Sequence, residues 1–190
     1  MRVITGSARG RRLKELEGME TRPTTDRVKE GLFSALQFEV EGRRVLDLFA
    51  GTGQLGIEAL SRGAVGCVFV DRRADAVKLI RENLKITGLT DRARVVTGDS
   101  MEYLGALREK FDLIFLDPPY AAGLLEPVLA HIARFDILAP HGIIAAEAPA
   151  EKTLPALAEP YRVSRIYRYG KIGLTIYRRV GDEKNEESAI

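Results

Sequence analysis

Tryptophan is absent from the 190 residues, cysteine occurs once, histidine twice and methionine three times. One cysteine makes neither an internal disulfide nor a cysteine-built metal centre, so the core must hold the fold together. Cys67 sits in an apolar run and reads as a core thiol. His131 and His141 have no partner at catalytic spacing and read as structural. No cluster of metal-ligating residues stands out, and no metal is expected. No apolar run approaches the roughly 18 residues of a membrane span, and Met1-Arg2-Val3-Ile4-Thr5-Gly6 lacks the apolar centre of a signal peptide. With no disulfide and no membrane signal, the expected location is the reducing cytoplasm. Repeats and low-complexity linkers are missing too. The remainder, 45% hydrophobic and 29% charged, is a globular balance. The length suits one domain with at most a small appendage.

A net charge of +2 conceals an uneven distribution. Residues 1–14 carry Arg2, Arg9, Arg11, Arg12 and Lys14 and no acid. Residues 160–180 carry Arg162, Arg165, Arg168, Lys171, Arg178 and Arg179, again with no acid. The last ten residues hold four acids against Lys184, so removing that −3 tail leaves +5. Two basic ends suggest a polyanionic partner, with solvated edge arginines as the plainer alternative. We expect Arg9, Arg11 and Arg12 to contact nucleic-acid phosphate.

Hydrophobic patterning sets the organisation. Residues 2–16 read as a hairpin around Ser7-Ala8-Arg9-Gly10, outside the core. Pro23-Thr24-Thr25-Asp26 supplies helix-start chemistry, and Val28, Leu32, Phe33, Leu36 and Phe38 follow at roughly helical spacing up to Gly42. From residue 43, strands at 45–49, 68–71, 94–97, 111–116 and 143–146 alternate with helices at 55–62, 74–87, 101–109 and 124–135. Alternation of that kind with near-continuous apolar strands means a parallel sheet covered on both faces. A short helical stretch is expected at 153–158, then a hairpin of strands at 161–169 and 172–179 around Gly170. The tail 181–190 is expected to be disordered.

Ligands of doubly wound sheets sit outside the carboxyl ends of the strands. Here those ends carry Asp47, Asp71, Asp99 and Asp117. One such aspartate is ordinarily a helix cap or turn residue; four in register are hard to dismiss. Gly51-Thr52-Gly53-Gln54-Leu55-Gly56 spells G-x-G-x-x-G between a strand and a helix, with Asp71 placed to accept from ribose hydroxyls. Gly51 and Gly53 let the backbone approach a ligand closely. Asp47 is a poor neighbour for a pyrophosphate. S-adenosylmethionine fits better: its ammonium suits Asp47, its carboxylate the loop amides, its ribose Asp71 and its adenine amino group Asp99.

Asp117-Pro118-Pro119-Tyr120 follows the fourth strand. An exocyclic base amine is a poor nucleophile, because its lone pair is delocalised into the ring. Two acceptors on its hydrogens, the Asp117 carboxylate and the Pro118 carbonyl, would localise that pair. Pro118 and Pro119 have no N–H to divert the turn, and Tyr120 can stack on the base. Positioning and electrostatics would supply most of the rate. Phe49 reads as core, and Glu147, after the fifth strand, as an exposed turn residue.

Asp47-Leu48-Phe49-Ala50-Gly51-Thr52-Gly53 together with Asp117-Pro118-Pro119-Tyr120 resembles a class I S-adenosylmethionine-dependent methyltransferase acting on an amino nitrogen. The chain is similar to the RsmD family of 16S rRNA guanine-N2 methyltransferases. The likeness includes Arg2-Val3-Ile4-Thr5-Gly6 with Gly10-Arg11 and Leu13, Arg22-Pro23-Thr24-Thr25-Asp26-Arg27-Val28-Lys29-Glu30, Leu55-Gly56-Ile57-Glu58-Ala59, and Tyr169-Gly170-Lys171. The resemblance implies an α/β fold: a seven-stranded, mostly parallel Rossmann-like sheet with an antiparallel C-terminal hairpin and a small N-terminal β-hairpin. It divides the chain into an RNA-binding extension over 1–20, a methyltransferase domain over 21–180 and the tail. It implies catalysis by Asp117, Pro118 and Tyr120. The donor would be held by Asp47, Gly51, Gly53, Asp71, Asp99, Ser100 and Met101. Arg22, Thr24 and Pro119 would border the substrate, with Arg22 facing either a phosphate or an acidic site residue. The partner implied is 16S rRNA in the small ribosomal subunit or its assembly intermediate, met by a monomer. Rivals are an amino-methyltransferase on DNA adenine or a protein amide, a nicotinamide-dependent oxidoreductase and a non-catalytic rRNA-binding assembly factor.

Overall fold

A computed structural model describes residues 1–16 and 26–180. Arg22, Pro23, Thr24 and the acidic tail lie outside the described residues. Seven strands form one sheet: β1 (Arg44–Asp47), β2 (Gly66–Asp71), β3 (Ala93–Thr97), β4 (Phe111–Leu116), β5 (Leu138–Pro149), β6 (Tyr161–Tyr169) and β7 (Ile172–Arg179). Their order is β3-β2-β1-β4-β5-β7-β6. β1 to β5 run parallel, and β7 pairs antiparallel with both β5 and β6. The helices are α1 (Asp26–Ala35), α2 (Gln54–Ser61), α3 (Ala74–Thr87), α4 (Ser100–Ala106) and α5 (Leu125–Arg134). This is the seven-stranded, mostly parallel sheet with an antiparallel C-terminal hairpin that the resemblance implies. No helix among the described residues is long and apolar enough to cross a membrane.

Successive strand residues point to opposite faces, so each strand feeds two cores. Val45, Phe69, Leu113, Phe115, Ile143 and Ile176 join the core beneath α1, α2 and α3. Leu46, Val70, Ile114, Leu116, Ile144 and Tyr177 join the one beneath α4 and α5. Strands buried on both faces have to be apolar almost throughout, which is why they are legible as short apolar runs. Cys67 is a buried thiol of the first core. His131 packs its ring on Phe135, 4.4 Å between centroids.

The N-terminal segment is a loose hairpin that belongs to the first core. A single antiparallel bridge joins Arg2 to Arg12, while Val3, Ala8 and Leu13 are buried against the sheet helices. Its backbone is fastened to α2. Glu58 accepts from the Ile4 and Thr5 N–H groups at 2.8 and 3.0 Å, and the Ser61 hydroxyl accepts from Ala8 N–H at 2.9 Å while donating to the Thr5 carbonyl at 2.6 Å. Gly6, at φ +88°, lies so close to α2 that a Cβ there would sit 1.8 Å from the Ser61 carbonyl oxygen. Lys29 and Glu58, both fully buried, face each other at 3.7 Å, and the Lys29 ammonium caps the Arg2 carbonyl at 2.5 Å. Desolvation lowers the Lys29 pKa, opposed chiefly by the Glu58 charge.

Several expectations are corrected. α1 ends at Ala35, seven residues before Gly42; the chain turns there, and Phe38 stands 89% exposed instead of continuing the apolar stripe. α4 ends at Ala106 rather than Glu109. β5 is longer than expected and carries His141 inside it, at φ +58°. Residues 153–158 form no helix: Pro155 disfavours helical geometry at Leu154, and the segment lies along the second core with the Pro155 carbonyl accepting from Tyr177 at 2.8 Å.

Candidate active site

β1 ends on Asp47, and the chain turns through Leu48–Gly53 into α2. Gly51 and Gly53 have φ of +54° and +79°, conformations that side chains resist. A Cβ on Gly53 would also stand 3.3 Å from the Ile57 and Ile80 side chains. Gly56 allows α2 to pack on β2, since a Cβ there would come within 2.3 Å of the Phe69 ring. The turn is tied across the sheet: Ala50 N–H donates to the Val70 carbonyl at 3.0 Å, and Gly51 N–H to Asp71 Oδ2 at 2.9 Å. Asp71 Oδ1 accepts from Arg73 N–H, also at 2.9 Å.

This turn forms one side of a cavity of about 810 Å³ at the carboxyl edge of the sheet. Its walls bring together Asp47, Gly51, Asp71, Asp99, Ser100, Asp117, Pro118, Pro119 and Tyr120. Two expected donor-site residues do not line it. Gly53 faces the Ile57–Ile80 packing, and Met101 packs on the second core. Asp99 is the N-cap of α4, accepting through Oδ1 from the Met101 and Glu102 N–H groups at 2.8 and 3.2 Å. Arg9, Arg11 and Arg12 are exposed on the hairpin, outside the cavity lining. Of the C-terminal arginines, Arg178 is held by Glu39 in two bonds of 2.5 and 2.6 Å and Arg179 by Asp136 at 2.8 Å, so both are structural.

Asp47 is 2% exposed. Burial pushes its pKa up to about 7, against the pull of the Gly56 N–H at 3.0 Å and with the Asp117 and Asp71 charges adding to the rise. A carboxylate so disfavoured is a place for a cation. Gln54 points the same way. It is buried, lines the cavity, and its Oε1 has no hydrogen-bond partner among the described residues. An orphaned acceptor beside a strained acid fits a ligand bearing N–H donors and positive charge.

Three features escape a reading of the sequence. Glu147 is 8% exposed, lines the cavity and accepts from the Tyr120 hydroxyl at 2.9 Å; it is not an exposed turn residue. Phe49 lines the cavity as well as touching the core. The hairpin contributes Met1 and Leu16 to the cavity wall. Fully buried Asn83 of α3 fixes that wall, donating to the Thr52 and Lys14 carbonyls at 2.9 and 3.2 Å and accepting from Lys14 N–H at 2.8 Å. Among the described residues no three His, Cys, Asp or Glu side chains are grouped to hold a metal.

The chain has relatives in sequence and in fold. A family described as conserved hypothetical protein 95 matches residues 1–178. The Escherichia coli protein named ribosomal RNA small subunit methyltransferase D is 36% identical over 180 residues, covering 94% of this chain and 90% of that one. The chain belongs to the RsmD family. Another relative, YlbH of Bacillus subtilis, named as a candidate rRNA methyltransferase, is 44% identical across 95% of this chain and all of its own. In three dimensions an Escherichia coli protein, yhhF, described as a candidate methyltransferase, superposes with a TM-score of 0.85 at 35% identity, covering 95% of this chain and 98% of that one.

Proposed function

We propose that this protein transfers a methyl group from S-adenosylmethionine to the exocyclic N2 amine of a guanine in 16S rRNA, in the small ribosomal subunit or its assembly intermediate. One observation carries the reading: Asp117-Pro118-Pro119-Tyr120, at the carboxyl end of β4, opens into the same cavity as Asp47, Gly51, Asp71 and Asp99. The small-subunit rRNA activity named for the Escherichia coli relative supports the choice of RNA.

S-adenosylmethionine supplies a methyl carbon on a sulfonium, whose C–S bond breaks with its electron pair returning to sulfur. Asp47 and Gln54 take the ammonium of its methionine end, the Gly51 turn faces its carboxylate, and the remaining acceptor positions of Asp71 take ribose hydroxyls. Asp99 and Ser100 border the adenine. Asp117 and the Pro118 carbonyl each accept one hydrogen of the target amine, leaving its lone pair directed at the methyl carbon. The proton released as the N–C bond forms passes to Asp117 and on to solvent. Tyr120 is held by its hydroxyl to Glu147, so its ring can cover the base. A base in this cavity has left its stack, so the target is looped out or flipped.

The test is transfer of labelled methyl to unmethylated small subunits, naked rRNA and DNA in parallel, followed by digestion. Label on guanine N2 of the small-subunit RNA is expected. Label on adenine, or only on DNA, overturns the substrate. Asp117→Ala is expected to lower turnover by about 100- to 1000-fold while leaving donor binding within about threefold.

A further inference from the structure

Glu147 is unexplained by donor binding or by the diproline turn. Leu116 of β4 pairs in register with Ala146 of β5, which places Asp117 and Glu147 side by side at the ends of adjacent strands. Alternation along β4 and β5 turns both carboxylates toward the face covered by α1, α2 and α3, the face on which Asp47 bonds to Gly56. Three acids on three neighbouring strands therefore converge on one cavity. Asp47 suits the donor and Asp117 the reacting amine. Glu147 faces the same space and, through the 2.9 Å bond from Tyr120, is anchored to the ring that covers the base.

The purines differ on the edge beside such an amine. Guanine presents N1–H next to its 2-amino group, two donors in a row; adenine presents a bare N1 acceptor next to its 6-amino group. A carboxylate accepts only, so it favours the first edge and opposes the second. An ionised carboxylate has about four acceptor positions, so it accepts from more than one donor at once. We propose that Glu147 selects guanine, accepting N1–H of the target base while Asp117 and the Pro118 carbonyl hold the adjacent amine. The inference rests on the proposed amino-methyl transfer and supplies what the diproline turn lacks, since a turn that grips any NH2 does not choose between purines.

2-Aminopurine separates the two ideas, because it keeps the 2-amino group and lacks N1–H. Small subunits are assembled on rRNA carrying guanine or 2-aminopurine at the position that digestion identifies, and labelled-methyl transfer is measured as kcat/KM. Wild-type protein is expected to prefer guanine by about 10- to 100-fold. Glu147→Gln, which sets an amide against N1–H, is expected to lose about 10- to 100-fold on guanine and no more than about threefold on 2-aminopurine. Equal wild-type rates on the two bases overturn the inference, and that comparison needs no variant. An equal loss on both bases in Glu147→Gln also overturns it, because Glu147 then acts only by bracing Tyr120. A wild-type protein that methylates no guanine at all overturns the function itself, and is distinguished from either result by the unsubstituted subunits.

Discussion

A buried carboxylate with no counter-charge among the described residues is the most informative residue in the molecule. The Asp47 pKa of about 7, against 3.8 for the free side chain, means that the folded state without ligand holds this proton more tightly than the unfolded chain. Its contribution to stability is therefore most favourable in acid, and is lost as pH rises from about 4 to about 7. A bound ammonium reverses the preference. Donor affinity is expected to increase with pH up to about 7, by close to tenfold per unit below that value, and to level off above. Titration calorimetry with S-adenosylhomocysteine, which carries the same α-ammonium and α-carboxylate, measures it; an Asp47→Asn protein should bind weakly and without that slope. Gln54→Leu removes the orphaned acceptor and is expected to weaken the same binding by roughly 5- to 30-fold. Asp47, Asp71 and Asp117 can be picked out from sequence because each follows an apolar run. Glu147 cannot: its place beside Asp117 comes from the pairing of β4 with β5, between residues distant in the chain, and locally it resembles a turn acid.

Among the elements, the N-terminal hairpin departs most from what local patterning suggests. Two short stretches with one bridge between them have no stability of their own. They persist because Glu58, Ser61 and Asn83 bind their backbone from two helices. Gly6→Ala combines a clash with the Ser61 carbonyl and a strained φ, and is expected to lower the thermal midpoint by an amount matching roughly 2 kcal/mol or more. Asn83→Ala releases the Lys14 and Thr52 backbone together, so donor affinity should fall alongside stability; a melt with and without S-adenosylhomocysteine separates the two. None of these anchors follows a sequence signature. A buried Asn or Glu on a helix looks like any polar helical residue until its distant partner is placed. β1 to β4 and the β6–β7 hairpin, by contrast, are legible to within two residues, because apolar runs bounded by glycine or by a change of period are local signals.

For the molecule as a whole, charge and topology divide the labour. Arg9, Arg11 and Arg12 are exposed on the hairpin whose two ends, Met1 and Leu16, wall the cavity. Replacing all three with alanine is expected to weaken small-subunit binding across sequences. It should also reduce the slope of log affinity against log salt by about three, one for each phosphate left unneutralised; filter binding at several salt concentrations measures it. The basic C-terminal hairpin is different. Its charge suggests a second polyanion surface, yet Arg178 and Arg179 turn inward to Glu39 and Asp136. A count of basic residues does not reveal such pairing.

At the rim of the sheet, β6 pairs with β7 on one side and with no strand among the described residues on the other, and its register slips between Val163 and Arg165. The slip exchanges which side chains look up and which look down, and Arg162, Arg165 and Arg168 remain in solvent around it. A foreign strand approaching that margin meets backbone amides out of step and a fringe of cations, both of which oppose edge-to-edge pairing.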